Sequence, residues 1–227
     1  YFNTGTVEAK GPTPISRTGR KTPGDWYDTR ERNTTYGVDL QRTWKLSPKA
    51  TAIFGFSLEH EAYDALPARS TANPTSYMRN NWGVFGQWEQ KFTERDTGVF
   101  GVRETWTTAA MRDENYQNFS ASGQWLHKFD RENSLYLSIS QSFIMPKFAQ
   151  MYGASSRLVP APDLKPQTGV TYEIGWKEKH AGHTWKAALF HMDVKDNITA
   201  TWKPREDRYQ YTNEDFRNTG LELSCET

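Results

Sequence analysis

The sequence predicts an all-β chain: about ten antiparallel strands, connected up and down, forming part of the wall of a transmembrane β-barrel. Three observations predict it. Apolar side chains recur on every second position in segment after segment, as a strand with one oily and one polar face requires. The connections alternate along the chain between long and short, which places tight turns at one end of the wall and long loops at the other. Segments 27–45 and 78–92 exceed both the usual strand length and the roughly 9–11 residues that a bilayer needs, so strands are expected to project beyond the membrane.

Taken in order, YFNTGTVEAK (1–10) reads as the middle of a strand, with neither the basic start nor the apolar run of a signal peptide. YGVDLQRTW (36–44) alternates loosely. In ATAIFGFSLE (50–59), Ala52, Phe54, Phe56 and Leu58 share a face, and in WGVFGQWEQKF (82–92) so do Trp82, Val84, Trp88 and Phe92. GVFGVRETW (98–106) and SGQWLHKF (122–129) continue the theme. In SLYLSISQSFIMPKF (134–148), Leu135, Leu137, Ile139 and Phe143 are expected to face lipid and Ser138, Ser140 and Ser142 a hydrated interior. Pro146 cannot donate to a ladder, so regular pairing should loosen near it. GVTYEIGWK (169–177) alternates fully, with Val170, Tyr172, Ile174 and Trp176 on one face. ALFHMDVKDNITA (188–200) follows, and LELSC (221–225) stops in mid-alternation, so the chain is expected to be an internal segment of a longer polypeptide or a mature product missing its flanks. Short turns are expected around Leu46–Lys49, Thr93–Asp96, Asp130–Asn133 and His180–Gly182. Long loops are expected over 10–26, 61–77, 107–118, 144–168 and 196–207.

Composition narrows the function classes. A net charge of +1 gives no basic excess for nucleic acid. The mean hydropathy of −0.84 argues against helical spans, which need about 20 consecutive apolar residues, but barrel strands are half polar and escape that test. Nine Trp and eleven Tyr suit rings at a membrane–water boundary, although they also suit a soluble sandwich core. The lone Cys225 allows no internal disulfide. His180 and His183 flank a short turn and make at most half a zinc site, and His60 and His127 have no companions at ligand spacing, so no metal site is expected. Neither a Gly-x-Ser-x-Gly elbow nor a phosphate loop occurs, and the reading is not that of an enzyme. Glu173, Lys177, Gln87, Glu89 and Arg103 are expected to point inward as a polar lining.

Residues 140–177 carry a resemblance. Phe143-Ile144-Met145-Pro146 stands where a Phe-Arg-Ala-Pro-like box would, and Ala161-Pro162-Asp163-Leu164 where an Asn-Pro-Asn-Leu-like box would. Lys165-Pro166-Gln167 and Tyr172-Glu173-Ile174-Gly175 follow. Segments 188–200 and 211–226 fit a Leu-Phe-x-x-Asp-x-Lys-Asp strand and a Tyr-x-Asn…Gly-Val-Glu strand. Gly101-Val102-Arg103 fits a Gly-x-Arg-Tyr strand, with Glu104 where Tyr is commoner. In order and spacing these resemble the barrel centre of TonB-dependent outer-membrane receptors, over 78–227 by motif and over 1–77 by pattern.

The resemblance implies a 22-stranded barrel in the outer membrane of a Gram-negative bacterium, of which 1–227 would be a partial barrel domain without its plug domain and final strands. It implies TonB as partner through that plug, outer-membrane lipid around the wall, and a ferric siderophore as transported ligand, with no covalently bound cofactor. Haem receptors of this family carry a histidine between the two boxes. Residues 144–164 have none, which favours a siderophore, with cobalamin and sugars left open. A non-specific porin or diffusion channel is the alternative reading. For an anionic ferric complex, arginine forks and aromatic faces in the long loops are the ligand candidates. These are Tyr63, Arg69, Tyr152, Arg157, Trp202, Arg205 and Tyr209, with Met151 and Arg208 beside them.

Overall fold

The computed structural model describes residues 1–12, 26–66, 75–111, 114–152, 158–205 and 208–227. In them the chain forms one sheet of eleven strands. These are β1 (Phe2–Pro12), β2 (Trp26–Ser47), β3 (Ala50–Leu66), β4 (Thr75–Lys91), β5 (Asp96–Met111), β6 (Glu114–Lys128), β7 (Asn133–Ile144), β8 (Leu158–Val159), β9 (Gln167–His180), β10 (His183–Lys203) and β11 (Arg208–Glu226). A single turn of helix, α1 (Phe148–Tyr152), lies between β7 and β8. The ten long strands pair antiparallel in chain order, while the two-residue β8 pairs in parallel with β11. The ten expected strands are therefore present in the expected up-and-down order.

Residues opposite one another in an antiparallel ladder share a face, so the register sorts the wall into two surfaces. One carries Trp44, Ala52, Trp88 and Phe100 in one row, and Leu137, Ile174, Leu189 and Leu221 in another. Its large apolar side chains stand open, as far as 71% for Leu223. On β2 this surface runs from Leu46 to Tyr36. Ten residues at about 3.3 Å and a tilt of about 40° give roughly 25 Å of height, the height of a lipid-facing band. The row that begins at Trp44 near a short turn arrives at His191 and Thr219 on β10 and β11, where the surface has turned polar. There His191 Nδ1 lies 2.7 Å from Thr219 Oγ1, and Arg217 Nε donates to Asp193 at 3.1 Å. The strands thus slant across the band, as barrel strands do.

The structure corrects the expected loops. β5 runs through to Met111 and β6 resumes at Glu114, so nearly all of the loop expected over 107–118 is strand. β10 likewise continues to Lys203 and β11 begins at Arg208. Long ladders keep backbone groups paired outside the band, so length is taken up by projecting strand rather than by irregular loop. The short turns stand as expected. At the β9–β10 turn Ala181 and Gly182 both have positive φ (49° and 84°), the geometry whose twist matches the flanking strands.

A second correction concerns Phe143. β6 and β7 are laddered only over Ser122–Lys128 and Ser134–Ser140, and beyond that Gln141 Oε1 accepts the Ala121 N–H at 2.9 Å. Phe143 stacks on Tyr116 there, with ring centroids 5.2 Å apart, instead of standing open in the row of Leu137 and Ile139.

Candidate functional site

The opposite surface is polar along most of its length. Gln87, Glu89, Arg103, Glu173 and Lys177 lie on it, as the alternation predicts. Its side chains are tied to each other. Arg103 Nη2 donates to Ser57 at 2.6 Å and its guanidinium covers the Phe85 ring. Asn81 Nδ2 bridges the carboxylates of Glu59 and Glu61 at 3.1 and 2.6 Å, and Thr107 donates to Asn81 Oδ1 at 2.8 Å. Tyr136 donates to Glu173.

Aromatic residues on this surface lie flat. Phe85, Tyr136 and Phe190 are each directly opposite a glycine, Gly55, Gly175 and Gly220 respectively. A Cβ on any of those glycines would lie within 2.1–2.4 Å of the ring. The rings cover exposed backbone and leave the space beyond the wall open.

At the long-loop end the described residues of the connection from β7 to β9, 145–152 and 158–166, are folded against this surface. Phe148, Met151, Ala161 and Leu164 form an enclosed cluster with Tyr63 and Ala65 of β3, joined by Tyr77, Ile198 and Tyr211. β3 and β10 would lie about 29 Å apart in a flat sheet at ~4.8 Å per strand, and one turn of helix and a short loop connect them. The wall therefore curves around the connection, and the polar surface is its inner side. Arg79, itself buried, donates to both Glu61 oxygens at 2.9 and 2.8 Å, to the Pro146 carbonyl at 2.7 Å, and lies 4.8 Å over the Phe148 ring. Asn213 accepts the Lys165 N–H at 2.8 Å and donates to the Lys165 and Asp196 carbonyls at 3.0 and 2.7 Å. The two boxes and the Tyr-x-Asn element of the sequence thus meet in space as anchors that hold the connection to the wall.

The expected ligand candidates divide. Tyr63 is fully enclosed and stacked on Phe148, so it faces protein. Tyr152 is half-buried, stacked on Tyr77 with centroids 3.7 Å apart, and Met151 is fully buried. Trp202 and Tyr209 sit opposite each other on the projecting β10–β11 ribbon, edge to face at 4.9 Å, both partly exposed. Arg205 and Arg208 are exposed at its tip. Arg69 and Arg157 lie outside the described residues. Among the described residues no three metal-ligating side chains converge. His60 and His127 each have one polar partner, Asn80 and Asp96, at 2.7 Å. Alternation did not single out Arg79, because its partners lie 18 and 67 residues away in sequence. The signal it left was a cation and a carboxylate on the inward rows of adjacent strands.

The same fold occurs in solved receptors and a transporter. A mutant ferric enterobactin receptor PfeA from Pseudomonas aeruginosa, in complex with enterobactin, superposes with TM-score 0.74 at 15% identity, covering 98% of this chain and 38% of that one. The siderophore receptor PirA from Pseudomonas aeruginosa gives 0.69 at 15%, covering 98% and 44%. The copper transporter OprC gives 0.72 at 18%, covering 88% and 35%. The chain thus spans less than half the length of each. No curated protein matches by sequence. Residues 1–226 match the family described as TonB dependent receptor-like, beta-barrel, and the chain belongs to that family.

Proposed function

We propose that the chain is part of the wall of an outer-membrane receptor of a Gram-negative bacterium that takes up a ferric siderophore by TonB-dependent active transport. The family match over nearly the whole chain carries this reading. The two-faced wall supports it, with a bare apolar band outside and a cross-linked polar surface inside. Neighbours that are a ferric enterobactin receptor and a siderophore receptor favour an iron complex as cargo. Trp202, Tyr209, Arg205 and Arg208, gathered on one projecting ribbon, offer stacking faces and planar donors to an anionic complex. Uptake is transport without catalysis. The wall supplies capture and passage, and TonB supplies the energy through a plug domain.

The test is made on the full-length receptor, with a ferric catecholate and a ferric hydroxamate as probes. Saturable binding to one of them, and uptake that stops when TonB is deleted, is the expected result. No affinity for either class, together with steady single-channel conductance in a planar bilayer, would show a diffusion channel instead.

A further inference from the structure

We propose that the outward face of the wall between β5 and β10 binds one zwitterionic phospholipid, with an acyl chain in an apolar groove over Gly123 and the headgroup in a polar notch beside Lys195. This rests on the membrane-wall reading above but not on the cargo. The strands that border the site, β5, β6, β7, β9 and β10, each lie between two paired neighbours.

Phe92, Phe100, Trp125, Leu137, Ile139 and Tyr172 border a groove of about 760 Å³, with Gly98 and Gly123 as its floor. Gly123 sits between Phe100 on β5 and Ile139 on β7 in the lipid-facing row. A Cβ there would lie 3.8 Å from each of them, which is ordinary contact. The neighbours therefore do not force a glycine at this position. What the missing side chain leaves is a slot open to hydrocarbon, walled by rings and branched chains, and a polymethylene chain fits such a slot.

The groove ends where the apolar band ends. Tyr172 and His191 border it, and the same two residues border a second cavity of about 570 Å³, lined also by Gln141, Thr168, Asp193 and Lys195. This notch lies where the β6–β7 ladder has stopped and the Gln141 side chain has taken the Ala121 N–H in place of a strand partner. Asp193 and Lys195 stand two positions apart on one face of β10, about 7 Å by strand rise. Asp193 accepts from Arg217 Nε at 3.1 Å, and Lys195 Nζ donates to Asp215 at 2.7 Å. A single bond leaves a carboxylate with further lone pairs and an ammonium with further protons. A notch that offers an acid and a base, each already balanced, suits a headgroup carrying both signs better than a net anion. Its phosphate would take Lys195 and its ammonium Asp193, as charge-assisted hydrogen bonds. Phosphatidylethanolamine has that headgroup.

The experiment is native mass spectrometry of the full-length receptor, delipidated in an uncharged detergent. Phosphatidylethanolamine is added, and in parallel phosphatidylglycerol or diacylglycerol with the same chains, or inorganic phosphate. Phosphatidylethanolamine should be retained in preference to all three. Gly123→Leu, which fills the slot, should reduce its retention about tenfold, the loss expected when about two methylenes are displaced, and Gly123→Ala by less. Lys195→Gln, at an exposed position that does not test the fold, should also cost about tenfold, as one charge-assisted contact does. Retention of diacylglycerol or phosphatidylglycerol equal to that of phosphatidylethanolamine by the unaltered protein overturns the site without any variant. So does unchanged phosphatidylethanolamine retention in Gly123→Leu or in Lys195→Gln. Absence of ferric-complex binding by the unaltered receptor would overturn the cargo reading and leave this result standing.

Discussion

Arg79 grips Glu61 from the neighbouring strand through two near-parallel hydrogen bonds of 2.9 and 2.8 Å, and the same guanidinium reaches the Pro146 carbonyl across 67 residues of sequence. The pair is therefore the rivet between the wall and the β7–β9 connection. Replacing Arg79 by Ala leaves the partly buried Glu61 carboxylate and the Pro146 carbonyl without it, at a cost of about 3 kcal/mol. The loss should be local. Trypsin should cut after Lys147 faster in Arg79→Ala than in the parent protein, before any change in global unfolding. Arg79→Lys should not rescue, because one ammonium cannot make the three contacts.

Gly175 has no room for a side chain, because the Tyr136 ring lies where its Cβ would be. Gly175→Ala should destabilise the barrel by about 1–3 kcal/mol in urea unfolding from detergent or vesicles. Adding Tyr136→Ala should cost less in the Gly175→Ala background than in the parent, since the clash has gone. Additive losses would mean that the ring does not rest on the glycine.

Glu104 is the opposite case, a charge-bearing residue in the apolar band. It stands outward between Val84 and Phe119, and one of its oxygens is buried without a hydrogen-bond partner. Glu104→Leu should raise stability in lipid vesicles on the order of 1 kcal/mol, with no change in ligand affinity. A loss of stability would mean that the carboxyl has a partner from outside this wall.

The Asp130 turn should respond to acid. The Asn133 side chain, with the Glu132 and Asn133 backbone N–H groups, holds the Asp130 carboxyl below its usual range. A depressed carboxylate contributes stability that is fully present above the unfolded value of about 3.9 and is lost as pH falls through the lower folded value. Amide protection at Glu132 and Asn133, corrected for intrinsic exchange, should therefore hold at neutral pH and fall below about pH 4. Asp130→Ala should remove it already at neutral pH.

Two ligand candidates should behave differently. Arg205→Ala, at the exposed ribbon tip, should weaken binding of the ferric probe about tenfold with unchanged unfolding, as loss of one charged contact does. Tyr63→Ala should loosen the connection first, at a cost of about 3–5 kcal/mol typical of a lost core aromatic, because Tyr63 is enclosed. Unchanged proteolysis of the connection in Tyr63→Ala would contradict its place in that cluster.

The rows of the wall were legible because a period of two is a local property. Leu137 and Ile174 each announce a face before their pairing is known. The far ends were not legible, since Thr107 and Thr108 lie where polarity reads as loop although the ladder continues through them. The folded connection was half legible. Its boxes could be seen at Pro146 and Ala161–Leu164, but their anchors, Arg79 and Asn213, are remote in sequence and carry no periodic mark.

The brief ladder between β6 and β7 gives the wall a mechanical grain. Every other neighbouring pair of long strands is zipped over a greater length, whereas this one ends at Ser122 and Ser140 and continues with the Gln141 side chain and a pair of stacked rings. Under load or heat the ladder should open there first, while the pairing within β1–β6 and within β7–β11 persists.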